Sequence, residues 1–320
     1  MKIKLFLAFI AFSLLSCSSD DNESVNSNTD DNPPVEKELI KIERQYFSDQ
    51  STEVDYIEEQ IYDNGLLKEL RAYRLSTGNV HREAFYTHDS EGRLIEVHYE
   101  YIFTDRTDYL HQILEYDNQG RLTSIQHNIS STSPHTSQGS IDFNYDVPNQ
   151  VLRSSFQVDS FGQTTISNTF FFLDAEGNVY KSAGTSENSD YIEGTYENGN
   201  LTQRKIFEFD ENIGDYVITQ TAFYTYDMET EVKGDYINVN LSDGGVYDIG
   251  LNQFGAFKAN ENLYWERSVS LRRANYPLQI SEGGGVVKRE YEFDDDGYPV
   301  IVTYIGTNNI PYKRDIITYE

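Results

Sequence analysis

The chain is 320 residues long and carries 25 Lys and Arg against 53 Asp and Glu, a formal charge of −28. So acidic a protein excludes nucleic-acid binding, which depends on Lys and Arg neutralising phosphates, and it opposes adsorption to an anionic membrane face. A single cysteine excludes an internal disulfide and any Cys-x-x-Cys site.

The N-terminus reads Met1-Lys2-Ile3-Lys4, followed by an apolar run from Leu5 to Leu15. That is a basic segment and a hydrophobic segment too short to stay in a bilayer as a spanning helix. The run ends in Leu14-Leu15-Ser16-Cys17, which resembles a lipobox. The resemblance implies that residues 1–16 are a lipoprotein signal peptide and that Cys17 carries the lipid, with enough acyl chains for stable anchoring. Losing Lys2 and Lys4 leaves 23 basic against 53 acidic residues, a formal charge of −30. Ser18-Ser19-Asp20-Asp21-Asn22-Glu23 resembles the acidic export signal of Bacteroidetes-type surface lipoproteins; the alternative is a plain acidic linker. What this implies is an outer membrane lipoprotein, surface-exposed or periplasm-facing, whose partner is the lipid bilayer through acylated Cys17. Residues 17–36 form a tether. From Ser18 to Glu36 there is no aromatic residue, no Lys and no Arg, and the stretch holds Pro33-Pro34, so it cannot bury enough apolar surface to order itself.

Residues 37–320 read as a single repetitive β domain. Tyr62-Asp63-Asn64-Gly65-Leu66-Leu67, His88-Asp89-Ser90-Glu91-Gly92-Arg93-Leu94 and Tyr116-Asp117-Asn118-Gln119-Gly120-Arg121-Leu122 are copies of one motif. Later copies turn on Gly177, Gly199 and Gly297, and Tyr145-Asp146-Val147-Pro148-Asn149 is a degenerate one with Asn149 in the glycine's place. Glycines 65, 92 and 120 are 27 and 28 residues apart. The motif predicts a hairpin: an aromatic residue ends a strand, Asp bonds the backbone ahead of it, and Gly supplies the positive φ of a type I turn with a G1 bulge. Gly78 lies outside the motif, and alanine there is expected to matter less. Ile95, Val97, Tyr99, Tyr101 and Phe103 put one apolar face on the strand that follows Gly92. Leu94 to Val97, Leu122 to Ile125 and Leu67 to Leu70 are each three apart, the wrong parity for one face, so either a bulge intervenes or the Leu belongs to the turn. The fold class is all-β, a large antiparallel meander of hairpins with a period of about 28 residues and about twenty strands, strongly curled or barrel-like because twist forbids a long flat sheet. Spacing is irregular over residues 205–285, and the register there is left open.

Aromatic-Asp-x-x-Gly-Arg-Leu at this spacing resembles the YD repeats of Rhs-type shell proteins. It is closer to secreted Bacteroidetes lipoproteins of an uncharacterised YD-like domain family, described as porin-like in shape. The resemblance implies a hairpin architecture and assigns no catalytic residue. A membrane-spanning barrel is disfavoured by lipidation and by scattered charge, as in Lys205-Ile206-Phe207-Glu208-Phe209.

No Gly-x-Ser-x-Gly, His-Glu-x-x-His or P-loop is present. The six histidines, at 81, 88, 98, 111, 127 and 135, fall within 55 residues and invite a metal reading, but simple exposure accounts for His98, and no metal ligand is assigned. Asp294-Asp295-Asp296-Gly297 reads as a repeat turn, since Glu292 and Thr303 stand where an EF-type loop needs its first and last ligands. Gly283-Gly284-Gly285 and Asp243-Gly244-Gly245 read as turns. Tyr264-Trp265 offers an aromatic pair for stacking on a sugar. The expectation is a lipid-anchored envelope protein without enzyme activity or cofactor, binding a glycan or a partner protein on a curved sheet; the alternative is a structural shell or spacer. The motivation is 25 Tyr and 18 Phe, more than hairpin packing obviously needs.

Overall fold

The computed structural model describes residues 36–48, 51, 53–132, 136–233 and 275–320. Glu36–Glu320 form one compact unit. Among the described residues there are eighteen strands. The first nine are β1 (Leu39–Phe47), β2 (Val54–Asp63), β3 (Leu66–Arg74), β4 (Val80–His88), β5 (Leu94–Ile102), β6 (Thr107–Tyr116), β7 (Leu122–Ser131), β8 (Ser137–Asn144) and β9 (Gln150–Val158). The second nine are β10 (Thr164–Leu173), β11 (Val179–Gly184), β12 (Tyr191–Glu197), β13 (Asn200–Asp210), β14 (Asp215–Asp227), β15 (Tyr276–Glu282), β16 (Gly285–Phe293), β17 (Pro299–Ile305) and β18 (Pro311–Tyr319). Each pairs antiparallel with its sequence neighbours, and β1 pairs with β18, so the meander closes into a barrel. Closure removes the unpaired edges that an open sheet of this length would expose.

Four motif turns follow the expected geometry. The Gly92 amide donates to the Asp89 carbonyl at 3.1 Å and the Asp89 amide to the Arg93 carbonyl at 2.9 Å. Gly92 and Arg93 thus face one residue, Asp89, and Gly92 takes φ +79°. The Asp89 carboxylate ties the turn from inside: Oδ1 accepts the Glu91 and Arg93 amides, both at 2.9 Å, and Oδ2 accepts Arg93 Nε at 2.7 Å. Asp117 does the same for the Gln119 and Arg121 amides and the Arg121 guanidinium. Asp174 and Asp294 repeat the backbone pattern. Asp159-Ser160-Phe161-Gly162 is a fifth copy at the opposite end of the strands, unseen in sequence because Val158 and Gln163 replace the flanking Tyr and Arg.

Two turns need correcting. At Gly65 and Gly199 the loop is one residue shorter, Asp63 pairs with Leu66 and Glu197 with Asn200, and both central residues have positive φ: Asn64 at 52°, Gly65 at 69°, Asn198 at 52° and Gly199 at 76°. These are type I′ Asn-Gly turns rather than G1 bulges. Gly78 also takes positive φ, +65°, so it is no neutral control. The sounder comparison is asparagine, which holds φ +59° at both Asn149 and Asn309. Gly120→Ala is expected to cost on the order of 1 kcal/mol and Gly120→Asn clearly less. Equal urea midpoints for wild type and Gly120→Ala would contradict the turn.

The parity problem resolves as a bulge. His88 pairs with Leu94 but Thr87 with Glu96, skipping Ile95; Tyr116 pairs with Leu122 but Glu115 with Ser124; Tyr62 pairs with Leu67 but Ile61 with Glu69. The extra residue turns the motif Leu to the same face as the apolar residue three positions on. Leu94 and Val97 are 1% and 0% exposed, and Leu122 and Ile125 are 0% and 1%. This buried face is the inner one, and one hydrophobic cluster runs along it from Leu39 to Ile317.

The motif tyrosines have a structural duty. Tyr116 donates its hydroxyl to the Leu94 carbonyl, Tyr145 to Leu122 and Tyr196 to Val179, at 2.8, 2.8 and 3.0 Å. Tyr226 does so to Leu201 and Tyr291 to Pro277. Each phenol thus caps the mouth of the preceding strand. Arg93 lies 5.1 Å from the Tyr116 ring centroid and Arg121 4.5 Å from that of Tyr145, so each Arg-Leu holds the next repeat's tyrosine.

These turns also set an acid limit. Desolvation works against the Asp89 and Asp117 carboxylates, but the backbone amides and guanidinium groups they accept outweigh it and hold both below the ordinary value. The Lys37 ammonium does the same at Asp294. Burial lowers His127 and His88. Folded values below unfolded ones mean stability that is full above the unfolded pKa and lost as pH falls. Urea midpoints are therefore expected to fall in two steps, the first below about pH 6.5 as the histidines charge in the unfolded chain, the second below about pH 4 as the aspartates do. A midpoint unchanged from about pH 7 to pH 3 would contradict these contacts.

Candidate functional site

The two faces of the wall differ in chemistry. The outer face carries ion pairs across neighbouring strands: Lys41 with Glu59, Arg71 with Glu83 at 3.3 Å, and Lys181 with Glu193 at 3.4 Å. Register places Glu115, Asp142, Lys205, Lys288 and Arg314 on that face as well. A lipid-facing strand pays roughly 2–4 kcal/mol for each Lys or Arg near the bilayer midplane and about 0–1 near the interfaces, so mid-strand charges such as Arg71 weigh against this wall facing hydrocarbon. No helix among the described residues is long and apolar enough to cross a membrane.

Among the described residues the outer face carries an aromatic stretch on β10–β14. Register aligns Phe170, Ala183, Tyr191, Phe207 and Ile218 in a row across five strands. Tyr191 and Phe207 stack at 4.4 Å with planes 12° apart, and Tyr216 meets Tyr191 edge-on at 4.9 Å. Phe209 packs against Tyr216, and the Lys181 ammonium sits 3.8 Å from the Tyr191 centroid. The next row is charged, Lys181, Glu193 and Lys205 in register. Rings are therefore bordered by hydrogen-bonding groups. Desolvation, then the neighbouring Glu193 charge, raises the Tyr191 phenol, so it stays a donor at neutral pH. Ile218 and Phe223, about half exposed, extend the apolar border.

On the inner face a polar seam marks the closure. Arg44 on β1 is the register partner of Asp315 on β18 and of Glu58 on β2. Its guanidinium grips Asp315 through Nε at 2.8 Å and Nη2 at 3.2 Å, and Nη1 lies 3.6 Å from Glu58. Tyr304 donates to Asp315 at 3.0 Å, and Tyr62 to Gln60, which donates to Glu58. Arg82 reaches Glu58 across Ala72, and Arg204 reaches Glu282 across Ala222. In each case alanine on the middle strand leaves room for the ion pair to pass over. Both seam carboxylates are bonded to guanidinium groups and closed to water, which is the chemistry of a brace.

The residues singled out in sequence are placed as follows. Cys17, Tyr264, Trp265, His135 and Asp243-Gly244-Gly245 lie outside the described residues. Gly283 and Gly284 form the β15–β16 turn with φ 54° and 84°. Asp294 and Asp296 receive Lys37 at 2.7 and 2.6 Å, so this acidic turn is occupied by a lysine side chain of the same protein. Among the histidines, His88 stands at a motif tyrosine's position, His127 is buried on the inner face, and His98 and His111 meet on the outer face beside Glu96. The aromatic row is not readable in the sequence, because assigning Phe170, Tyr191 and Phe207 to one line requires the register of three hairpins, bulges included. The surplus of tyrosine that suggested ligand binding is spent in large part on strand-mouth ties and the core.

No family model matches the chain, and no curated protein matches it. Solved structures similar to it include a porin-like protein from Bacteroides vulgatus, 10% identical, covering 89% of this chain and 99% of its own, at a TM-score of 0.40. Another is a porin-like protein from Bacteroides uniformis, 11% identical, covering 70% of this chain and 95% of its own, at a TM-score of 0.35.

Proposed function

We propose that the protein is a non-catalytic envelope module, anchored in the outer membrane by lipid on Cys17, that recognises glycan through the outer aromatic row of β10–β14. The observation that carries the reading is that row: Phe170, Tyr191 and Phe207 in register, with Lys181, Glu193 and Lys205 beside them. Tyr191 and Phe207 cover each other's faces, so the row offers its outward ring edges as an apolar strip for the apolar side of a sugar, and bordering charges take hydroxyl hydrogen bonds. The charged outer wall supports the anchor, because a barrel without a lipid-facing band needs another attachment, and the lipobox-like sequence ending at Cys17 supplies one.

Two measurements test it. Cys17→Ala is expected to abolish incorporation of labelled palmitate and membrane retention; equal label in both forms ends the anchored reading. On a glycan array the full chain is expected to bind, and Tyr191→Ala with Phe207→Ala to weaken binding by at least about tenfold, two lost apolar ring contacts of about 1 kcal/mol each. Release of hydrolysis products would overturn the non-catalytic reading. A flat array would favour the structural shell or spacer.

A further inference from the structure

The outer face holds a second cluster, on β5 and β6, away from the aromatic row. His98 and His111 are register partners across the β5–β6 ladder, and Glu96 lies two residues before His98 on the same face. In antiparallel pairing, directly opposed side chains on one face have Cβ atoms roughly 4.5–5.5 Å apart, and the diagonal neighbour is within reach. The two imidazole rings stack at 4.3 Å with planes only 10° apart. Both turn Nε2 towards the same atom: Glu96 Oε1 is 2.8 Å from His111 Nε2 and 3.1 Å from His98 Nε2. The three ligand-type atoms all lie within 4.8 Å of one another.

We infer that Glu96, His98 and His111 form a surface site for one divalent transition-metal ion of the zinc class. Tetrahedral zinc holds nitrogen and oxygen ligands at roughly 2.0–2.2 Å, which sets them about 3.3–3.5 Å from one another. The two Glu96 contacts fall about 0.2–0.7 Å short of that spacing, and the stacked rings, whose in-plane lone pairs run side by side, must tilt towards each other for both Nε2 atoms to meet one ion, a rotation open to side chains at an exposed position. Two imidazoles and one carboxylate are the donors that zinc takes, while Ca²⁺ and Mg²⁺ demand oxygen alone. The fourth position faces solvent and is open to water. The formal charge of −28 concentrates cations around the molecule and raises the capture rate. Register neighbours leave the site clear: Phe85 stands opposite His98 and Asn128 opposite His111, with no cation among them.

The test is calorimetric titration of the chelator-treated full chain with Zn²⁺ in excess Mg²⁺, which fills diffuse acidic sites. The expected result is one Zn²⁺ per chain, with affinity reduced at least about tenfold in His98→Ala and in His111→Ala. Glu100→Gln, next along the same face, is expected to leave it within about twofold. Co²⁺ in place of Zn²⁺ is expected to show the visible absorption of a tetrahedral ion, lost in His111→Ala. Thermal melts of the variants in chelator check that they fold. Absence of zinc binding, or binding unchanged by both histidine substitutions, overturns the site.

Discussion

Asp315→Ala is expected to destabilise the barrel by about 3 kcal/mol, the lower part of the range for removing one partner of a buried ion pair. The substitution leaves Arg44, 1% exposed, inside the wall without its bidentate partner. Glu58 remains 3.6 Å from Arg44, but that carboxylate is shared with Arg82, so compensation is partial and the cost stays below the maximum. The pair joins the first strand to the last, and its members face each other in the register that closes the sheet. A slip of one residue would set Arg44 opposite Arg314 or Ile316 and leave Arg44 and Asp315 on opposite faces of the sheet. Two consequences separate a closure role from bulk stability. Replacing both members, Arg44→Met with Asp315→Leu, is expected to recover much of the loss, because an apolar pair of similar size avoids the desolvation cost. In Asp315→Ala, amide exchange is expected to speed up first in β1 and β18. Urea melts within about 1 kcal/mol of wild type, or exchange that rises evenly around the barrel, would contradict the assignment.

The hairpin architecture was legible because its signals are local. Asp-x-x-Gly writes a turn wherever it stands, and the carboxylate of Asp89 or Asp117 reaches only four residues ahead. The spacing of Leu94 and Val97 already contained the bulge as a conflict of parity. Closure was harder to read: nothing in Leu39–Phe47 or Pro311–Tyr319 announces that these strands meet, and the Arg44–Asp315 pair spans 271 residues. The Asn-Gly turns at Gly65 and Gly199 differ from the other copies by one residue, which stays hidden in sequence because Tyr-Asp-Asn-Gly and Tyr-Glu-Asn-Gly resemble Tyr-Asp-x-x-Gly until residues are counted against the partner strand. The histidine pair was nearer to hand. His98 and His111 are equidistant from a turn between Ile102 and Thr107, so placing that turn would have brought them together.

Leu122→Ala is expected to cost about 2–5 kcal/mol, the range for emptying a buried leucine site. Leu122 is 0% exposed and is inward only because Thr123 is bulged out of the β6–β7 ladder. Its backbone has a separate duty, since its carbonyl accepts the Tyr145 hydroxyl at 2.8 Å. Tyr145→Phe removes that bond alone and is expected to cost about 1 kcal/mol. The cavity left by Leu122→Ala lets the backbone at the strand mouth relax, which weakens the tyrosine's grip, so the double variant is expected to fall short of the sum. Leu75, 47% exposed beyond the end of β3, is the control, and Leu75→Ala is expected to stay within about 0.5 kcal/mol. The comparison bears on the repeat as a whole, because Leu94 and Leu67 stand at equivalent bulges. If Leu122→Ala proved no more damaging than Leu75→Ala, the bulge would not be turning the motif leucine into the core. The three-residue spacing from Leu to the next buried residue would then have to belong to the turn.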